Sequence, residues 1–154
     1  MARKVCAVVA LVVALGTVGS AQSPAVDLAG AYRVDGTNAD GTTYRATVTI
    51  AANGEIALQQ LQRENANFDL VLMDCEMPLL DGYSAAQRYR EYERQRHLPH
   101  LPIIALTAHV LQEHQTRTQQ AGMDDHIGKP LEFTTLKEKL LERLAPDRKV
   151  VSRT

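Results

Sequence analysis

Three residues with reactive or charged side chains each follow a short strand-like run in this chain of 154 residues. Asp74 ends the apolar run Leu70–Met73, Thr107 ends the apolar run Ile103–Leu106, and Lys129 follows a shorter third stretch. The carboxyl ends of parallel strands meet at one edge of a sheet, and polar chemistry collects there. This edge would therefore hold a carboxylate, a hydroxyl and an ammonium, although each residue alone has an ordinary explanation as a cap, a packing residue or a surface corner.

The region after residue 51 must position these side chains, and it alternates between helical and strand patterns. The predicted helices are Glu55–Glu64, Tyr83–Arg96, Val110–Ala121 (closed by Gly122) and Phe133–Leu144, and the predicted strands are Leu70–Met73, Ile103–Leu106 and Asp125–Gly128. Helices that alternate with apolar strands indicate βαβ crossovers and a parallel sheet covered on both faces. The sequence therefore predicts a doubly wound α/β fold.

Residues 22–51 have a different composition, rich in Gly, Thr, Asn and Asp in their second half. Two β-prone stretches, Tyr32–Val34 and Tyr44–Ile50, flank the segment Asp35–Gly41. Asp-Gly pairs between such stretches are turn signals. We predict a β-hairpin-like segment here.

Residues 1–21 have the layout of a secretory signal peptide. Arg3 and Lys4 precede the apolar run Val5–Leu15, and Gly19-Ser20-Ala21 offers a cleavage site between small residues. The run is too short to read as a membrane-spanning helix. The alternative is a buried strand that starts near Lys4 and opens the parallel sheet. We favour the signal peptide, because its three parts occur together.

Several motifs within the predicted α/β region occur in a characteristic order. They are Asn53–Glu55, Phe68–Pro78, Asp81–Tyr83, Pro102–Ala108, Ala121–Asp125 and Lys129–Pro130. Together they make residues 53–144 resemble the receiver domains of two-component signalling proteins, especially those attached to hybrid sensor kinases. The resemblance implies a flavodoxin-like doubly wound parallel sheet and a role in a phosphorelay.

The resemblance also implies a role for each matching residue. Asp74 would accept a phosphoryl group from the phosphohistidine of a histidine kinase or histidine phosphotransfer domain. Thr107 would hydrogen-bond a phosphoryl oxygen, and Lys129 would pair with the phosphorylated carboxylate. Asp74 and the main-chain carbonyl of Glu76 would help to bind Mg²⁺, and His126 stands at the position of the family's switch residue. Such a module accepts phosphate and is not an enzyme in its own right.

The chain departs from the family pattern at its beginning. Counting back from Asp74 at the family's spacing leads to Ala29–Ala31, where there is no acidic pair, and Asp27, Asp35 and Asp40 are isolated. Glycine and proline residues also interrupt the region where a first helix would lie. We therefore expect the first βα unit to be missing or replaced by the hairpin, magnesium binding to be weak, and one face of the sheet to be partly uncovered.

Composition limits the possible partners. The formal net charge is −1 and no long basic run occurs, so nucleic acid is not an expected partner.

The leading interpretation is a receiver-like domain at 52–146, followed by a tail at 147–154. One alternative is a pseudo-receiver that binds proteins without being phosphorylated, and another is an exported binding protein that uses its β segment. Receiver function implies a cytoplasmic location, whereas the signal-like segment implies export, a conflict that a gene fusion would explain.

Overall fold

The computed structural model describes residues 6–12, 30–37, 43–64, 66, 68–108 and 112–144. Its elements are β1 (Cys6–Val12), β2 (Gly30–Thr37), β3 (Thr43–Ile50), α1 (Gly54–Leu61), β4 (Leu70–Asp74), α2 (Gly82–Arg96), β5 (Ile103–Thr107), α3 (Gln112–Gln120), β6 (Asp125–Gly128) and α4 (Phe133–Leu144). Among these, no helix is long and apolar enough to cross a membrane.

The strands form one six-stranded sheet in the order β2-β3-β1-β4-β5-β6. Strands β3, β1, β4, β5 and β6 run parallel, whereas β2 pairs antiparallel with β3 at one edge. The predicted hairpin is therefore present, and β3 enters the parallel sheet beside β1. The link from β1 to β3 includes the edge strand β2, which stands in for part of a crossover unit. The doubly wound α/β prediction is confirmed.

The first parallel strand lies further from Asp74 in the sequence than the family's spacing would put it. The strand beside β4 is Cys6–Val12, with Val12 in register with Met73. The count back from Asp74 pointed instead to Ala29–Ala31, but Gly30 and Ala31 begin the edge strand β2. The strand that pairs with β4 therefore lies further towards the N-terminus, and the link from it to β3 contains the edge strand β2. Residues 6–12 thus form a buried-sheet strand, which was the alternative to the signal peptide. The cleavage site at 19–21 lies outside the described residues and remains a prediction.

Helices cover both faces of the sheet around β4 and β5, where alternate residues point to opposite faces. On one face Val71, Met73, Ile103 and Ala105 pack with residues of α1 and α2, including Ala57, Leu61, Ala85 and Tyr89. On the other face Leu70, Leu72, Ile104, Leu106 and Ile127 pack with Leu136 and Leu140 of α4. Leu70 and Leu72 are 0% and 1% exposed. Both faces are therefore covered at β4 and β5, and the expectation that one face is partly uncovered elsewhere in the sheet stays a prediction.

A charged network joins α2 to the loops that lead into β5 and β6. Nη1 of Arg90 donates to both carboxylate oxygens of Glu93, and its Nη2 donates to Oδ2 of Asp124, all at 2.9 Å. The same two carboxylates accept hydrogen bonds from the backbone N–H groups of Leu101 and Ile103 at 2.8 Å. The network lies at the amino ends of β5 and β6, and it fixes where these two strands begin.

A second set of ion pairs attaches α4 to β6. Lys139 Nζ donates to Oδ2 of Asp125 at 2.8 Å, and Arg143 Nη2 contacts the same oxygen at 3.3 Å. Burial raises the pKa of Asp125, but the hydrogen bonds from Lys139 and from the backbone of His126 outweigh it. The net result is a pKa below the usual value for an aspartate. The charged form of Asp125 therefore contributes to stability.

Candidate functional site

The carboxyl edge of the sheet brings the carboxylate of Asp74 and the ammonium of Lys129 into direct contact. Lys129 Nζ donates to Oδ2 of Asp74 at 2.7 Å, and the backbone N–H of Glu76 donates to Oδ1 at 2.9 Å. Asp74 is 1% exposed, whereas the side chain of Lys129 is 34% exposed. A buried carboxylate requires such partners, because an uncompensated charge in the interior is strongly destabilising. Both carboxylate oxygens are thus hydrogen-bonded, and the ammonium reaches solvent.

Thr107 lies on the central strand between these two residues. Its neighbour Leu106 is in register with Asp74 on β4, and Thr107 itself is in register with Gly128 on β6. The carbonyl of Thr107 accepts the backbone N–H of Lys129 at 2.8 Å. The structure therefore places all three sequence-predicted residues at the ends of adjacent strands, and Thr107 is buried there.

The first turn of α2 packs directly on the end of β4. A Cβ atom added to Gly82 would lie 2.1 Å from the carbonyl oxygen of Asp74, so only glycine fits this position. Asp81 caps the helix: its Oδ1 accepts the backbone N–H of Ser84 at 3.0 Å and its Oδ2 accepts the Ser84 hydroxyl at 2.7 Å. Burial raises the pKa of Asp81, but these hydrogen bonds outweigh it and leave the pKa below its usual value. Asp81 and Gly82 together thus determine where α2 begins and how closely it packs against Asp74.

A cavity of about 310 Å³ lies beside the residues that directly follow Asp74 in the chain. Its walls are formed by Cys75, Glu76, Met77, Asp81, Tyr83 and Arg117. The guanidinium of Arg117 stacks over the ring of Tyr83, 4.4 Å from its centre. Burial, with a hydrogen bond to Cys75, raises the pKa of Tyr83 to about 12, and burial likewise raises the pKa of the Cys75 thiol. A cation and a neutral thiol therefore border the approach to the acceptor.

Sequence reasoning missed Tyr83 and Arg117 as parts of this edge. The two residues are far apart in the chain and belong to different helices, so no spacing rule connects them. The local signal that could have drawn attention to Arg117 is its isolated charge, because the surrounding residues of α3 at 115–120 (QTRTQQ) are otherwise uncharged.

His126 occupies β6 in register with Ala105 of β5 and is half-buried. Its backbone N–H donates to Oδ1 of Asp125 at 2.8 Å. The residue follows an ion-paired aspartate and precedes the buried Ile127. A switch role for the imidazole remains a prediction.

The residues around Asp74 do not complete a magnesium site of the expected kind. Mg²⁺ requires near-octahedral coordination by oxygen, and the described residues contain no group of three or more His, Cys, Asp or Glu side chains that could hold a metal. Strand β1, next to β4, has the sequence CAVVALV and carries no acid. The remaining predicted ligands are Asp74 and the main-chain carbonyl of Glu76.

Residues 40–141 match the family model described as response regulator receiver domain. The chain is 40% identical over 97 residues to the sensor histidine kinase GacS of Pseudomonas protegens, a match that covers 63% of this chain and 10% of that protein. It is 37% identical over 89 residues to the hybrid signal transduction histidine kinase M of Dictyostelium discoideum, covering 58% of this chain and 4% of that protein. The chain thus spans a tenth or less of the length of these relatives.

Solved receiver structures share the fold. One is the receiver domain of a sensor histidine kinase from Pseudomonas aeruginosa, which has magnesium coordinated in its active site cleft (39% identity, TM-score 0.55, covering 64% of this chain and 77% of that chain). Another is the receiver domain of a response regulator from Saccharomyces cerevisiae, crystallised with a histidine phosphotransfer signalling protein (28% identity, TM-score 0.58, covering 62% and 70%).

Proposed function

Because this chain belongs to the response regulator receiver domain family, we propose that it accepts a phosphoryl group from a phosphohistidine at Asp74. The observation that carries the proposal is the buried carboxylate at the end of β4, held by Lys129 Nζ at 2.7 Å. The proposed donor is a histidine kinase or a histidine phosphotransfer domain. Support for this class of donor comes from the kinase relatives and from the yeast complex.

The side chains at this edge have the chemistry that the transfer needs. An oxygen of Asp74 attacks phosphorus, the bond from phosphorus to the histidine nitrogen breaks, and its electron pair leaves with the imidazole. The product is an acyl phosphate on Asp74. Lys129 offsets negative charge near the carboxylate, and the Thr107 hydroxyl would donate to a phosphoryl oxygen. Phosphoryl transfer depends mainly on such positioning and charge compensation.

A bound magnesium ion would supply further positive charge at the phosphoryl oxygens. In this chain Asp74 and the main-chain carbonyl of Glu76 would be its ligands. With only these two protein oxygens the ion would retain most of its water, so its affinity should be low.

Intact-mass analysis after incubation with acetyl phosphate tests the proposal. The full chain should gain one phosphoryl group, and Asp74→Asn should gain none. Asp69→Asn is a matched control, because Asp69 directly precedes the same strand at its opposite, amino end. Labelling that persists in Asp74→Asn, or that is lost in a folded Asp69→Asn, would contradict the assignment of the acceptor.

A second candidate function is a pseudo-receiver that binds a partner without being phosphorylated. The specific observation in its favour is the acid-free strand β1 beside β4. If this function is correct, a histidine phosphotransfer domain should bind wild type and Asp74→Asn equally, and neither protein should gain mass with acetyl phosphate. The same mass measurement therefore separates the two functions.

We propose a cytoplasmic location, where ATP-dependent kinases form phosphohistidine. Strand β1 lies between β3 and β4, so cleavage after Ala21 would remove an internal strand of the sheet. Cell fractionation and N-terminal sequencing test this. Exported protein that begins at Gln22 would instead favour the signal peptide and a binding role for the β2–β3 segment.

A further inference from the structure

We propose that two copies of this chain join their sheets through the outer edges of their β2 strands, in an antiparallel pair centred on Val34. The dimer does not depend on the proposed function above. Three features of β2 support it: the place of the strand at the edge of the sheet, its length, and a sequence whose charges match those of the same strand in a second copy.

Strand β2 forms an outer edge of the sheet. Within the part of the chain that the structure describes, β2 pairs with β3 alone, over all eight of its residues. Alternate backbone N–H and C=O groups of such a strand point away from the sheet and can form a ladder with another strand. Residues 30–33 are exposed. The strand contains neither proline nor lysine, which protect many natural edges from pairing, and the strand at the other edge, β6, has only four residues.

The sequence of β2 complements itself when the strand pairs with its own copy. Two identical antiparallel strands are related by a two-fold axis, so one residue can stand opposite its own copy. With the axis at Val34, Arg33 stands opposite Asp35 of the second copy, and Asp35 stands opposite Arg33 of that copy. Directly opposite residues lie on the same face of a sheet, where opposite charges attract. The same register puts Tyr32 opposite Gly36, a position where an aromatic ring can cover the glycine.

The charges also select this register over its neighbours. An axis at Arg33 or at Asp35 would put like charges directly opposite each other, which is destabilising. Within each copy Asp35 is in register with Arg45 of β3. One row across the joined sheets would therefore contain Arg45, Asp35 and Arg33 of the second copy, with charges that alternate in sign. The charges thus favour a second copy of this chain as the occupant of the edge.

The joined sheet leaves both copies of Asp74 open to a phosphoryl donor. Strand β2 runs antiparallel to β3 and would also run antiparallel to its own copy, so the parallel strands of the two copies run in opposite directions. Their carboxyl edges therefore lie on opposite sides of the joined sheet. In each copy β4 is three strands away from β2, a distance of about 14 Å between backbones. Dimer formation should therefore be the same in Asp74→Asn as in wild type.

Sedimentation velocity of the full chain at increasing concentrations tests the dimer and its charge pairs. Wild type should dimerise with a dissociation constant in the micromolar range, because one pair of strands makes a small interface. Arg33→Glu and Asp35→Arg should each weaken the dimer at least about tenfold, since each puts like charges opposite each other in both pairs. A mixture of the two variants should associate as wild type does, because both pairs then join opposite charges.

Arg88→Glu is the matched control, since it makes the same change of charge at an exposed position of α2. This variant should dimerise as wild type does. A wild type that stays monomeric would overturn the proposal, as would a mixture that stays monomeric although circular dichroism shows both variants to be folded. Equal weakening by Arg88→Glu, or loss of the dimer in a folded Asp74→Asn, would overturn the placement of the interface on β2.

Disulfide cross-linking tests the register without changing any charge. In a background of Cys6→Ser and Cys75→Ala, Val34→Cys puts two thiols opposite each other at the two-fold axis. The Cα atoms of such a pair lie about 4.5–5.5 Å apart, which a disulfide can span. Tyr32→Cys is the control, because its two copies would be offset by about 14 Å along the strands. Mild oxidation should cross-link Val34→Cys and leave Tyr32→Cys monomeric. Equal or faster cross-linking of Tyr32→Cys, or none in either variant, would overturn the proposed pairing.

Discussion

Gly82→Ala should both destabilise the fold and slow phosphorylation, because Gly82 is where α2 contacts the acceptor strand. The new Cβ would lie 2.1 Å from the carbonyl oxygen of Asp74 and 2.9 Å from its carbonyl carbon, while ordinary contact begins at 3.4 Å. Both clashing atoms belong to the backbone, so the helix or the strand end must move by about 1 Å. We expect a loss of about 3 kcal/mol in the free energy of unfolding and, from a misplacement of about 1 Å, labelling slowed by about 100-fold.

Gly122→Ala is the matched control for this prediction. Gly122 has a φ of 76°, and its added Cβ would meet a side-chain carbon of Arg90 at 2.9 Å. The left-handed backbone costs alanine about 1–2 kcal/mol, and the residue lies in the loop before β6, at the amino end of the sheet. This variant should therefore lose stability and keep the wild-type labelling rate.

Urea unfolding followed by circular dichroism gives the stability of both variants, and intact-mass analysis gives their labelling rates under conditions where both are folded. If Gly82→Ala retained wild-type stability and labelling, the contact between α2 and Asp74 would not matter as argued. If Gly122→Ala slowed labelling as strongly, the effect would come from general destabilisation and not from the displaced acceptor.

The other predictions concern the parts that support the site. Arg90→Met leaves the Glu93 and Asp124 carboxylates without their guanidinium, and it should cost about 3–5 kcal/mol; a loss below about 1 kcal/mol in urea unfolding would show that the network is not needed. Asp125→Asn should lower the free energy of unfolding by about 1 kcal/mol at pH 7. Because the pKa of Asp125 is depressed in the folded state, the difference from wild type should disappear as the pH falls below about 4 and the carboxylate is protonated. A difference that does not change with pH would contradict this. Cys75 is buried with a raised pKa, so in a Cys6→Ser background its thiol should react with iodoacetamide at the rate of unfolding; rapid reaction of the native protein would refute the burial.

The order of helices and strands after residue 51 could be predicted because each element carries its own local signal. Each of β4 and β5 is a short, continuous apolar run, and both are fully buried in the parallel sheet. Gly122 ends the third predicted helix, and the structure gives it the positive φ that favours glycine. The same local logic placed Asp74, Thr107 and Lys129 at one edge. Parallel strands present their carboxyl ends together whatever the details of packing.

The N-terminal run shows where local signals fail. A short apolar stretch has the same composition in a signal peptide and in a buried strand, and periodicity does not separate the two. The place of Cys6–Val12 between β3 and β4 depends on pairing with strands more than 30 positions away in the sequence. The burial of Leu70 and Leu72 likewise depends on α4 at the far end of the chain. Neither could be read from neighbouring residues.

The sequence by itself determined the α/β pattern, the residues at the carboxyl edge and the lack of any acid before Asp27. Only the tertiary structure decided how these features combine. It put an acid-free strand next to β4, brought Lys129 to 2.7 Å from Asp74 across 55 positions of sequence, and placed Arg117 over Tyr83. These contacts depend on strand order and helix packing, which no local pattern specifies, because they join residues that are distant in the chain.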